Sequence, residues 1–205
     1  MSVTVIKLGG SLLHSKTLLN WLESIQQYAQ HNHVVIVPGG GEFADRVRDL
    51  QQQVKFNEQT AHRLALLAMF QYGYLLAGLN PAIQIVDDIG KLVSEMDKQL
   101  PLLWLPNCLL DDFSGIPASW DYTSDSVALW LANKLMAKQL ILVKSIFMNS
   151  PESSLEQLIG NGVIDKGFQR LTGDYSGKIL WFEQSQFHLL NQANSIEDKS
   201  LEIHF

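Results

Sequence analysis

The sequence predicts an α/β fold, a three-layer αβα sandwich around a mainly parallel central sheet. Three observations carry the prediction: short unbroken apolar runs, amphipathic stretches between them, and glycines where one gives way to the other. The runs fall at Val3–Leu8, Val34–Val37, Ile83–Val86, Leu102–Leu105 and Leu140–Val143. They are too continuous for a sheet with one wet face and read as buried central strands. The intervening stretches, Ser15–Gln30, Glu42–Gln53, Glu58–Gly78 and Ser124–Ala137, repeat apolar residues at three- and four-residue spacing, the period of a helix packed on a core. Right-handed crossovers put such helices on both sheet faces and ligands at the carboxyl ends of the strands. After Ser150 the pattern is less regular, with strand candidates at Lys178–Phe182 and Leu201–Phe205. These complete a single domain over residues 1–205.

Length and composition agree. A chain of 205 residues, 46% of them hydrophobic and 18% charged, buries one full core, so one active site is expected. The start, MSVTVIKLGG, is strand-like and lacks the basic and apolar regions of a secretory signal. The longest apolar stretches are broken by charges such as Lys134 and Lys138, short of the ~20 residues a membrane span needs. Cys108 is the only cysteine, which excludes an intrachain disulfide and suits a reducing compartment; a cytoplasmic protein with no membrane partner is expected. A net charge of −6 argues against a broad nucleic-acid-binding face. No metal site is expected, since His31 and His33 have no third ligand nearby.

Four motifs carry candidate chemistry. Lys7-Leu8-Gly9-Gly10-Ser11 closes the first strand ahead of a helix; its glycines would let main-chain amides approach an anion, with Lys7 aimed at the same place. An ordinary strand-to-helix turn explains the same residues. Pro38-Gly39-Gly40-Gly41 ends the second strand, and three successive glycines are entropically costly unless something must come close. Trp120-Asp121-Tyr122-Thr123-Ser124-Asp125-Ser126 precedes an amphipathic helix. Thr123 or Ser124 would cap it, while Asp125 at its start is free to hold a lysine. Gly162-Val163-Ile164-Asp165-Lys166-Gly167 offers a glycine-flanked lysine that alone would pass as a solvated loop residue. Neither the phosphate-loop spacing nor the dinucleotide fingerprint is present, and this excludes a nicotinamide-dependent dehydrogenase.

In order and spacing the four motifs resemble the amino acid kinase family over roughly the first 170 residues. The resemblance implies a phosphotransferase using ATP, with Mg2+ carried by the nucleotide. It implies that Lys7 and Lys166 flank the travelling phosphoryl group and that Asp125 orients both lysines. Gly9, Gly10 and Ser11 would hold nucleotide phosphates, with Lys144 at the rim. Gly39, Gly40 and Gly41 would face the acceptor together with Ser124. The acceptor-side half would be about residues 1–135, the nucleotide-side half about 136–205. Relatives commonly form homodimers or larger homo-oligomers, so the same is expected here.

Gly39–Arg48, Ala61–Gly73 and Ser119–Ala132 further resemble the branch of that family that serves methanofuran-type cofactor biosynthesis in one-carbon metabolism. The acceptor implied is a phosphomonoester carrying an amine, such as an aminomethylfuran-methyl phosphate, and the product is a diphosphate. Asp45 would then pair with the substrate ammonium, Arg46 or Arg48 would meet acid oxygens, and His62 would stand at the pocket edge. A solvated helix face and a core histidine are the alternatives. The pattern departs from the family after Val143, where Lys144-Ser145-Ile146 stands in place of an Asp-Gly turn. That departure makes a non-catalytic nucleotide-binding member one alternative; a kinase of the same family acting on a carboxylate or carbamate is another.

Overall fold

The computed structural model describes residues 2–105, 115–146, 154–192 and 202–203. Cys108 lies outside them, as do Phe147 and most of the strand expected at 201–205, of which Glu202 makes an isolated antiparallel bridge to Leu180.

Six strands, β1 (Val3–Leu8), β2 (His33–Pro38), β3 (Gln84–Val86), β4 (Leu102–Trp104), β5 (Gln139–Lys144) and β6 (Lys178–Glu183), form one sheet in the order β3-β4-β2-β1-β5-β6. Every pairing in it is parallel. β1 is central, with β2 on one side and β5 on the other, so the chain reverses its direction of travel across the sheet at β1. The crevice outside the carboxyl ends of β1, β2 and β5 is where an open parallel sheet accepts ligands.

The helices α1 (Leu18–Ala29), α2 (Gly41–Val54), α3 (Glu58–Leu79) and α5 (Ser124–Lys134) occupy the predicted stretches, most with shifted ends. The first starts three residues later than expected because Gly10–His14 forms a separate 3-10 turn. Short helices α4 (Ile89–Glu95), α6 (Leu155–Gly160) and α7 (Phe168–Thr172) lie in text whose periodicity is too brief to announce them. No helix among the described residues is long and apolar enough to cross a membrane.

Strand alternation divides the core. Val5, Val35, Val37, Leu140, Leu142 and Trp181 pack with α5 on one face. Ile6, Leu8, Ile36, Ile141, Val143 and Phe182 pack with α1 on the other. Because side chains alternate with a period of two, Lys7 shares Val5's face and Lys144 shares Leu142's, so both lysines emerge on the side covered by α5.

Candidate active site

The site is built where β1, β5 and the first turn of α5 meet. Lys7, at 4% exposure, is the last residue but one of β1, which is buried from Thr4 to Leu8. Asp125, at 3%, stands in the first turn of α5. The Lys7 ammonium lies 2.9 Å from Asp125 Oδ1, and the Lys144 ammonium donates to Oδ2 at 2.5 Å. Lys144 also donates to the carbonyl of Val163 at 2.7 Å. Lys7 is held by its ion pair with Asp125, and Lys144 by two hydrogen bonds, to Asp125 and to Val163.

Burial alone would push the Asp125 carboxyl up. The ammonium groups of Lys144 and Lys7 outweigh it and hold the group down at about 2. For Lys144 the balance is opposite: burial, joined by repulsion from Lys7, brings it down to about 8 despite Asp125. Two cations against one anion leave a surplus of positive charge in a poorly solvated place, the condition for binding a polyanion.

This corrects the expected partnership. Asp125 joins Lys7 to Lys144, not to Lys166, whose side chain is 77% exposed and lies 3.8 Å from Asp121. Lys166 follows Asp165, whose side chain turns inward to the start of α5, and successive side chains in this loop take different directions. Lys7, Lys144 and Lys166 nevertheless line one cleft, with Asp125 in its wall.

The glycine loops meet each other. A Cβ on Gly10 would fall 2.0 Å from the amide nitrogen of Gly41, and one on Gly39 would fall 2.4 Å from that of Gly10. Gly41 also has a φ of +54°, where a side chain is strained. The costly run of glycines thus serves first to let the end of β1 and the start of α2 touch backbone to backbone. Gly9 donates its amide to the Val143 carbonyl at 3.1 Å, which ties the same corner to β5.

Beside this corner lies a second cavity of about 280 Å³. Gly10, Ser11, Gly40 and Gly41 form one end, Leu66, Met69 and Val127 give an apolar flank, and Asp45, Glu58 and His62 bring polar groups. Ser124, Thr123, Trp120 and Arg48 line both this cavity and the lysine cleft, so the two spaces share a wall. Burial holds His62 below the usual histidine range and so favours its neutral form. Gly9 and Gly39 stand behind the lining, not in it.

Arg46 is exposed and absent from the lining of both spaces. Residues i and i+2 of a helix are about 200° apart, so Arg46 and Arg48 cannot face the same way, whereas Asp45 and Arg48 share a face. Arg48 pairs with Asp45 at 3.1 Å and lies 4.4 Å from the centre of the Trp120 ring, whose Nε1 donates to Gln51 Oε1 at 2.6 Å. Glu58 is a lining residue given no role from the sequence, and Trp120 and Met69 appear there only within a motif and on the helix face of His62. Their sequence signal is modest: each sits inside a stretch already implicated, on the helix face or turn that also bears His62 or Ser124.

Among the described residues no cluster of histidine, cysteine and carboxylate side chains could hold a metal ion. Of the cleft carboxylates, Asp125 is engaged with lysines and Asp165 with hydroxyl and amide donors, while the more exposed Asp121 lies 3.8 Å from Lys166.

Residues 2–153 match the amino acid kinase family. The chain is 31% identical over 160 residues to the [5-(aminomethyl)furan-3-yl]methyl phosphate kinase of Methanocaldococcus jannaschii, covering 76% of this chain and 73% of that protein. In structure it is similar to the uridylate kinase of Archaeoglobus fulgidus, with a TM-score of 0.66, 18% identity, and coverage of 94% of this chain and 96% of that one. The UMP kinase of Ureaplasma parvum is likewise similar, at a TM-score of 0.68 and 14% identity, covering 98% and 97%. The chain belongs to the amino acid kinase family and is, with it, a phosphotransferase.

Proposed function

We propose that the chain transfers the γ-phosphoryl group of ATP to the phosphate of an amine-bearing phosphomonoester, an aminomethylfuran-methyl phosphate or a close analogue, giving ADP and a diphosphate. One observation carries this reading: a buried Lys7–Asp125–Lys144 cluster faces a cleft that shares a wall with a second cavity bounded by main chain at one end and carboxylates elsewhere. An oxygen of the acceptor phosphate attacks the γ-phosphorus while the bond to the β-bridging oxygen breaks, and the electron pair leaves with ADP. That oxygen is already anionic, so no protein base is required. The protein's tasks are alignment and charge compensation.

Lys7 and Lys144 are suited to the negative charge spread over the transferring group, and Lys166 at the rim to the nucleotide phosphates. Gly10, Ser11, Gly40 and Gly41 supply main chain at the junction, and Mg2+ arrives on the nucleotide. Asp45 and Glu58 add negative charge to the acceptor cavity and favour a substrate with an ammonium group, with the apolar flank of Leu66, Met69 and Val127 against a flat ring. A substrate with phosphate at one end and ammonium at the other matches this polarity better than an acidic one. A carboxylate or carbamate would bring a further acid to Glu58 and no counter-charge beyond the Arg48 that already pairs with Asp45. Self-association, in keeping with the family, would draw on the exposed Leu67 and Tyr74 of α3.

Incubation with Mg-ATP and synthetic aminomethylfuran-methyl phosphate tests the reading, with mass spectrometry for the diphosphate and coupled detection of ADP. Thermal stabilisation by ATP without ADP release, across phosphomonoester, carboxylate and carbamate acceptors, would leave a nucleotide-binding protein and not a kinase.

A further inference from the structure

Asp165 has no part in the chemistry above, yet its part-buried carboxylate is the most heavily engaged near the site. Oδ2 accepts from the Thr123 amide at 2.8 Å, the Thr123 hydroxyl at 2.9 Å and the Ser126 amide at 3.0 Å. Oδ1 accepts from the Ser126 hydroxyl and from the Phe168 amide at 3.0 Å. Thr123 is the N-cap residue of α5 and makes no capping bond with its own side chain. The cap comes instead from a residue 39 to 42 positions later in the chain.

A local cap would have satisfied those amides as well. Supplying it from a distant loop makes the start of α5, and therefore the position of Asp125, depend on that loop being docked. The docking has a second anchor. The Gly167 amide donates to the Asp121 carbonyl at 2.6 Å, and a Cβ on Gly167 would lie 2.3 Å from the Tyr122 ring. Lys166 is thus flanked by two residues fixed to the turn before α5, while its own side chain stays exposed.

We propose that Asp165 is a positioning residue, which ties the Lys166 loop to the first turn of α5 and so sets the distance between Lys166 and the Lys7–Asp125–Lys144 cluster. The proposal rests on the phosphotransfer reading for the role of Lys166 and extends it to a residue whose carboxylate is taken up by protein donors. Asp165 does not act as a base, since five donors already occupy its oxygens.

The test is a double-mutant cycle of Asp165→Asn and Lys166→Ala, measured with Mg-ATP and aminomethylfuran-methyl phosphate on variants whose melting is monitored. The asparagine keeps the shape but turns an amide donor toward the Phe168 amide or the Ser126 hydroxyl. Asp165→Asn should lower kcat roughly 10²-fold, the cost of a misplacement near 1 Å, with smaller changes in either KM. In the Lys166→Ala background the same change should cost less than about threefold. Thr123→Val, which removes a single one of the five bonds, should give a smaller loss with the same dependence on Lys166, and it carries the test should Asp165→Asn not fold. The cycle is also read in Mg-ATP affinity by calorimetry, which needs no acceptor and separates failure of this proposal from failure of the kinase reading. Additive effects in both readouts, or an unchanged kcat in folded Asp165→Asn, would overturn the proposal.

Discussion

Lys7 and Lys144 stand on neighbouring parallel strands, with their ammonium groups on opposite oxygens of the same carboxylate, that of Asp125. Neither lysine is free to swing, and neither is neutralised, because one anion cannot satisfy two cations. The arrangement aims a fixed excess of positive charge at the crevice beyond the sheet.

Replacing Lys7 by Ala should lower kcat roughly 10²-fold or more, as expected when one preorganised donor to a developing charge is lost. Lys144→Ala should behave alike. Steady-state kinetics on folded protein decides it, and a loss confined to KM would show that the lysines only bind.

The low position of Lys144, at about 8, predicts a pH-dependent nucleotide affinity. Bound phosphate favours the protonated amine, so binding above this pH takes up a proton. Affinity for ATP should fall as pH rises through about 8, by up to tenfold per unit. Calorimetry in buffers of different ionisation enthalpy measures the proton directly, and release instead of uptake would contradict the assignment.

Asp125→Asn should cost about 3–5 kcal/mol at neutral pH, because two buried ammonium groups lose their counter-ion. The wild-type carboxyl lies at about 2 in the folded chain, below its ordinary value of 3.8. Its stabilising contribution is therefore complete above the ordinary value and is lost as pH falls through about 2. Urea unfolding as a function of pH should show that loss in the wild type and a flatter profile in the variant.

Trp120→Ala removes the ring under Arg48 and the partner of Gln51. The acceptor KM should rise roughly fivefold, in line with a solvent-exposed cation–π contact together with a lost wall, while the KM for ATP changes less. Equal effects on both substrates would show that Trp120 serves the lysine cleft as much as the acceptor cavity.

The layered fold was legible because the strands are continuous apolar runs and the long helices keep their period. α4, α6 and α7 were not, because a helix of two turns or fewer leaves too little repetition to recognise. Lys7 and Asp125 could be found from their motifs. The partnership of Lys144 was also within reach: it has the parity of Leu140 and Leu142 on β5, just as Lys7 has that of Val5 on β1. The resemblance sets Lys166 against Asp125, whereas the alternation along β5 brings Lys144 there. Arg46 was a similar miss, of helical phase. Asp165 was unreadable, since its partners are brought near only by the tertiary fold.

The backbone contact between Gly10 and Gly41 bears on how such an enzyme diversifies. It mates two chain corners with no side chain at the seam, so their spacing is indifferent to whichever residues decorate the neighbouring helices. Asp45, Glu58 and His62 lie beyond that seam. On the proposed reading they are at liberty to change with the acceptor while the lysine cleft keeps its alignment.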